Sequence, residues 1–226
     1  MERRPELIVM LTHNDRTVEN APEIFEQCRD SRAKFWGIKE EGIPSAQMKA
    51  LCRRMKECGK TTVLEVVAYT ERECLCGAKM AFECGVDILM GTVFFDSVSE
   101  FCRGNRMKYM PFVGKIMGRP SILDGTVDGM LREAAACLEK GVNGIDLLGY
   151  RYTGDASALI RDFTARANMP VCVAGSVTGF EQLDELIAAS PWAFTIGGAF
   201  FENKFGRGFC EQIDTVCEYI ETANNK

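Results

Sequence analysis

The sequence predicts an α/β fold, a single-domain (βα)8 barrel spanning residues 1–226, from three observations. Three stretches echo one another: "KECGKTTVLEV", "AFECGVDILMG" and "LEKGVNGIDLLG". In each, a helix-like segment stops at a glycine (Gly59, Gly85, Gly141) and an apolar strand follows. Glycine suits the position past a helix end because that position takes a positive φ. Second, extending the unit gives eight strands, beginning near Leu7, Lys34, Thr62, Val86, Tyr109, Val142, Pro170 and Trp192, with a helix after each. Alternating βα units require a parallel sheet, and eight of them favour a closed barrel over an open doubly wound sheet. Third, the first strand runs into "LTHNDRTVEN", not the glycine-rich fingerprint expected after the first strand of an open dinucleotide-binding sheet.

Each element has its own support. "MERRPELIVML" is basic and then apolar, but its apolar run is short and no small-residue cleavage site follows, so it reads as a first strand and not a secretion signal. In the second helix Met48, Leu51, Cys52, Met55 and Cys58 recur at three- and four-residue intervals, a single apolar stripe. Thr70-x-x-Glu73 and Thr178-x-x-Glu181 match the capping box and open the third and seventh helices. No linker-like or low-complexity stretch marks a second domain.

Composition narrows the function classes. The chain is 46% hydrophobic and 26% charged, and no apolar run approaches the roughly 20 residues of a bilayer span. A formal charge of −5, with Lys and Arg dispersed, argues against a nucleic-acid partner, which needs clustered cations. No membrane partner is expected. Eleven cysteines scattered through helices and strands, with no targeting signal, suit free thiols in a reducing, cytoplasmic setting. With one histidine, and with Cys74 and Cys76 two apart on a predicted helix and so on different faces, no metal and no cofactor is expected. The sequence leaves a homo-oligomer open.

Barrels of this kind assemble catalytic groups at the C-terminal ends of their strands. His13 and Asp15 follow the first strand, Lys39 ends the second, Glu65 lies along the third, Lys115 falls near the end of the fifth and Asp146 is on the sixth. Alternation puts Glu65 on the face of Val67 and Tyr69, and Lys115 on the face of Val113, so both are expected to point inward. One use is structural: Lys39 and Glu65 on adjacent strands form a buried ion pair, since buried charges must be paired. The other is chemical. Glu65 or Asp146 moves a proton beside a substrate carbonyl while Lys39 or Lys115 stabilises the developing oxyanion. A third use makes Lys39 or Lys115 a desolvated nucleophile that forms a Schiff base, as in an aldolase or lyase. His13 is a candidate for ligand contact or proton transfer, and Arg119 and Arg151 are candidates for a second anionic group.

"PVCVAGSVTGFEQL" and "FTIGGAFFENKFG" place Gly175-Ser176 and Gly197-Gly198 after the seventh and eighth strands. Barrels often bind phosphate there through backbone N–H groups, and glycine keeps Cβ atoms out of the way. The pattern "VAGSV" followed by "TIGGAFF" resembles the phosphate-binding TIM barrels: the phosphoribosyl isomerases of histidine and tryptophan biosynthesis, the ribulose-phosphate epimerases and related decarboxylases. The likeness covers the architecture of the whole chain, and its specific part is residues 170–206. It implies a small phosphorylated, sugar-derived substrate held by Gly175, Ser176, Gly197 and Gly198. Catalytic residues do not carry over. The phosphoribosyl isomerases place an Asp or Cys on the first strand, where this chain has "THND", and the epimerases gather histidines and aspartates around a metal. The expectation is therefore a metal-independent isomerase or epimerase, with a Schiff-base lyase or a non-catalytic phosphate-binding barrel as alternatives.

Overall fold

The computed structural model describes residues 4–223. The chain opens with β1 (Glu6–Met10), a short hairpin of β2 (Thr12–His13) and β3 (Arg16–Thr17), and α1 (Ala21–Cys28). Three βα units follow: β4 (Phe35–Lys39) with α2 (Ser45–Glu57), β5 (Thr61–Val66) with α3 (Glu71–Cys84), and β6 (Ile88–Gly91) with α4 (Asp96–Gly104). After β7 (Lys108–Met110) a second hairpin intervenes, β8 (Lys115–Met117) and β9 (Ile122–Asp124), before α5 (Val127–Glu139). The remainder is β10 (Ile145–Leu147), a 3-10 turn (Gly149–Arg151), α6 (Ala156–Arg166), β11 (Val171–Val173), α7 (Phe180–Ala189), β12 (Ala193–Ile196), the four-residue α8 (Gly198–Phe201) and α9 (Phe209–Thr222).

Eight parallel strands form one sheet in the order β10-β11-β12-β1-β4-β5-β6-β7. Its edges meet at a parallel bridge between Phe112 and Asp146, and Asp146 N–H donates to Pro111 C=O at 3.0 Å. The result is a nearly closed (βα)8 barrel. All eight strands begin within three residues of the positions expected from the sequence.

Strand alternation sorts the core. Leu7, Val9, Trp36, Ile38, Leu64, Val66, Ile145 and Leu147 pack outward beneath the helices. Ile8, Met10, Val63, Ile88, Met90, Met110 and Cys172 fill the barrel interior. A Cβ on Gly37 would press on the Met10 side chain, so glycine here lets that side chain fill the interior without moving. The same alternation turns Lys39, Glu65 and Asp146 inward, and register sets Lys39 beside Glu65 and Asp146 beside Cys172.

Four expectations need correction. The fifth barrel strand stops at Met110 and does not reach Lys115. Pro111 has no N–H to continue a ladder, and Gly114, at φ 79°, turns the chain away. Lys115 begins the antiparallel hairpin, is exposed, and pairs in register with Asp124. Second, Thr70 caps α3 by accepting from Glu73 N–H, but α7 starts after Gly179 without a side-chain cap, so the Thr178–Glu181 box does not form. Gln182 Oε1 instead accepts from Thr178 N–H at 2.6 Å. Third, neither hairpin was expected. Fourth, Cys28 and Cys210 are joined in a disulfide, so not all thiols are free. Among the described residues the other nine cysteines are unpaired, and no helix is long and apolar enough to cross a membrane.

Candidate functional site

A cavity of about 580 Å³ opens at the C-terminal end of the barrel. One wall carries a buried charge cluster. Asn14 and Asp15, at φ 50° and 62°, make the two-residue turn of the β2–β3 hairpin, a conformation that Asn and Asp tolerate. This aims the Asp15 carboxylate at the Lys39 ammonium, which donates to it. Thr17 fixes the end of β4: Lys39 N–H donates to its Oγ1 at 2.8 Å, and its hydroxyl donates to Lys39 C=O at 2.9 Å. From β5, Glu65 Oε1 lies 3.4 Å from Lys39 Nζ. Burial would lower the pKa of Lys39, but Glu65 and Asp15 outweigh it and hold the ammonium above its ordinary value. Lys39 is therefore a fixed, protonated cation.

Asp146 lies below this cluster, fully buried. Neither of its carboxyl oxygens makes a hydrogen bond of normal geometry among the described residues; the Gly91 backbone offers only a weak contact. Burial pushes its pKa well above the ordinary carboxylate range and the Glu65 charge adds to the rise, while Lys39 and the Gly91 backbone oppose it. The protonated carboxyl is thereby favoured, because an unpaired buried carboxylate is too costly. Cys172, next to it in register, has its thiol pushed up by the same burial.

The opposite wall is made of donors. Gly175 (φ 100°) and Ser176 (φ 66°) follow β11, and Gly197-Gly198 lead from β12 into α8. Among the described residues none of their backbone N–H groups donates a hydrogen bond. Two of the glycines also have packing reasons. A Cβ on Gly175 would lie 2.8 Å from Arg151 Cγ, and one on Gly197 would lie 2.6 Å from Thr12 Oγ1. Arg151 and Arg16 both line the cavity, and among the described residues neither has a carboxylate within ion-pair distance. Arg119 differs: it pairs with Glu40 at 3.1 Å and Glu41 at 2.7 Å and donates to Val67 C=O.

The structure thus brings Lys39, Glu65 and, beneath them, Asp146 together, and gathers Gly175, Ser176, Gly197 and Gly198 across the cavity. His13 belongs to the second group: its Cδ2 is 3.5 Å from where a Gly198 Cβ would be, and its Nε2 is 3.6 Å from Glu202 Oε1. Lys115 does not line the cavity. Arg16 and Thr17 were not singled out from the sequence, although "THNDRT", a turn pair between residues of strand type, carries the signal of a short hairpin.

No protein-family model and no curated protein matches the chain. Solved structures do. Orotidine 5'-phosphate decarboxylase from Pyrococcus horikoshii OT3 is 15% identical, with a TM-score of 0.70 over 95% of this chain and 99% of that one. The tryptophan synthase alpha chain from Legionella pneumophila subsp. pneumophila is 13% identical, with a TM-score of 0.69 over 99% and 94%. N-acetylmannosamine-6-phosphate 2-epimerase from Clostridium perfringens is 10% identical, with a TM-score of 0.63 over 88% of each chain. Likeness at such identities is likeness of fold. With eight parallel strands in a nearly closed barrel and these structural neighbours, two of them named for phosphorylated substrates, the chain is a (βα)8 TIM barrel.

Proposed function

We propose that the protein is a metal-independent isomerase or epimerase that moves a proton beside the carbonyl of a small phosphorylated, sugar-derived substrate. The observation that carries this reading is the Lys39–Glu65 pair, 3.4 Å apart, buried in one wall of a cavity whose other wall presents backbone N–H groups and the Arg151 side chain, none with a partner of its own among the described residues. The phosphate accepts from the backbone at Gly175, Ser176, Gly197 and Gly198 and pairs with Arg151. That contact directs the carbonyl end toward Lys39.

Glu65 then takes the proton from the carbon next to the carbonyl. The C–H electron pair forms the new C=C bond, the carbonyl electrons move onto oxygen, and the Lys39 ammonium stabilises the enolate. Isomerisation follows when the enolate oxygen takes up a proton, the neighbouring hydroxyl gives one up to become the new carbonyl, and Glu65 returns its proton to the former carbonyl carbon; epimerisation follows when water protonates the first carbon on the opposite face and Glu65 keeps the proton it took. Asp15 holds the Lys39 side chain, and a neutral Asp146 adds no second negative charge beneath the developing enolate. The Schiff-base alternative is less well supported: Lys39 is held protonated, which suits an electrostatic partner and not a nucleophile, and Lys115 is outside the cavity.

The test incubates the protein in D2O with phosphorylated ketoses, aldoses and 2-oxo acids, with borohydride trapping in parallel. Deuterium uptake beside the carbonyl, lost by roughly 10²–10⁴-fold in Glu65→Gln with phosphate affinity unchanged, is the expected result. A borohydride-stable adduct on Lys39 would overturn the enolisation reading in favour of a lyase. Binding of these phosphates with neither exchange nor adduct would leave a binding barrel.

A further inference from the structure

From the covalent link between α1 and α9 we infer that Cys28–Cys210 is a redox modification site whose oxidation state sets the affinity of the cavity's phosphate end. The inference rests on the phosphate reading above. Cys28 is the last residue of α1, and Cys210 is the second residue of α9. The bond therefore pins the first turn of α9, and two contacts run from that turn to α8. Phe209, immediately before Cys210, packs its ring 5.5 Å from that of Phe200 and 4.8 Å from that of Phe201. Gln212, fully buried, donates from Nε2 to Phe200 C=O at 2.8 Å and accepts from Phe205 N–H at 3.1 Å. Helix α8 is only four residues long and begins at Gly198, one of the phosphate donors. It has little hydrogen bonding of its own, so its position is set by packing: Phe209 and Gln212 on one side, and on the other His13, whose ring lies 5.6 Å from that of Phe201.

Further along α9, attachment does not depend on the disulfide. Asp214 accepts from Arg32 N–H at 2.8 Å, Glu221 pairs with Arg32, and Ile213, Val216 and Ile220 are buried in the main core. Reduction therefore removes the covalent restraint on the first turn, leaving Phe209 and Gln212 to hold it alone, and keeps the helix docked, which is how a local bond changes one site without unfolding the chain. The chemistry is thiol–disulfide exchange with a dithiol reductant. One reductant thiolate attacks the Cys210 sulfur, the more accessible of the two, since Cys28 is buried and Cys210 is only half-buried. The S–S bond breaks and Cys28 leaves as a thiolate that takes up a proton. The second reductant thiol then displaces Cys210 as a thiol, and the reductant leaves as a cyclic disulfide. Two electrons and two protons pass to the protein.

The experiment uses the full chain, air-oxidised or treated with dithiothreitol, with free thiols counted by alkylation and mass. It measures inorganic phosphate affinity by calorimetry and amide exchange over residues 197–203. The expected result is a phosphate affinity three- to tenfold weaker and exchange over 197–203 faster in the reduced protein, with C28A/C210A matching the reduced form whether or not reductant is present. Equal affinity in both states, after complete reduction, overturns the switch while the phosphate reading stands. If the oxidised protein binds no phosphate, the phosphate reading fails and the switch is judged by exchange alone: faster exchange on reduction supports it, and unchanged exchange overturns it. Eleven free thiols in the air-oxidised protein would also overturn it.

Discussion

Asp146 has a carboxyl that folding places in a fully buried position with no hydrogen bond of normal geometry among the described residues, and its proton has a measurable consequence. In the unfolded chain such a group titrates near pH 3.9, and in the fold its pKa is raised well above that. Above pH ~4 the native state therefore keeps a proton that the unfolded state has lost. The stability this group contributes is fully present below the unfolded pKa and falls as pH rises toward the folded one, by up to about 1.4 kcal/mol per pH unit. Asp146→Asn removes that dependence and keeps the shape. The difference in unfolding free energy between wild type and Asp146→Asn, from urea titrations between pH 4 and 8, should shift steadily against the wild type as pH rises. A flat difference would show that Asp146 is ionised in the native state and has found a partner. An ionised Asp146 would also place a second negative charge under Glu65, opposing formation of the enolate that the proposed reaction needs.

Among the elements, the β8–β9 hairpin makes the most specific mechanical claim. Its tip is tied down from the neighbouring loops: Arg119 to Glu40, Glu41 and Val67 C=O, and Tyr69 O–H to Gly118 C=O at 2.8 Å with Ser121 Oγ 2.9 Å away. The Arg119 side chain is 44% exposed, so the ion pairs themselves contribute little, about 1 kcal/mol or less. Arg119→Ala should leave global stability within that range and accelerate amide exchange across residues 115–124, read by mass spectrometry. Slow exchange there would mean that Tyr69 alone holds the tip. The hairpin also shows where sequence legibility ends. The barrel strands after the first could be read because their apolar runs follow a helix-like segment, often closed by a glycine, and alternation along β4 and β5 dictates that Lys39 and Glu65 share the interior. Lys115 was placed there by extending the same alternation across Pro111 and Gly114, where the ladder ends. Three-residue strands such as β8 and β9 are too short for a period to show. The hairpin at "THNDRT" was readable in principle from its turn pair, but its consequence, Asp15 aimed at Lys39, depends on how the turn sits over β4. The disulfide was hidden because residues 182 apart in sequence meet only once the barrel has brought the chain ends together.

At the scale of the whole barrel, closure is uneven. The first and last strands, β1 and β12, keep register from Glu6↔Ala193 to Val9↔Ile196, and the Cys28–Cys210 bond clasps the helices beside them. The weak side is mid-chain, where, among the described residues, the β7 and β10 edges are joined by one isolated bridge, between Phe112, just beyond β7, and Asp146. Most of the remaining join is made by Asn143. Its N–H donates to Tyr109 C=O at 2.8 Å, and its side-chain Oδ1 accepts from Tyr109 N–H at 2.9 Å. Asn143→Ala keeps the first bond and deletes the second, leaving the Tyr109 amide without its side-chain acceptor. Because this bond is only part-buried and Asn143 is exposed, water can replace the lost acceptor in part, so the cost is about 1 kcal/mol. The barrel should therefore open first along this seam. In native-state exchange, amides of residues 108–112 and 143–147 should exchange faster than those of β1 and β12 in the wild type, and the gap should widen in Asn143→Ala while β1 and β12 move only with global stability. Equal protection on both sides would mean that the barrel opens as one unit and that the bridge at Asp146 is stronger than its hydrogen bonds suggest. Opening at the seam would instead bring water to Asp146, a buried carboxyl with no hydrogen bond of normal geometry among the described residues, and couple the barrel's closure to the protonation of its own floor.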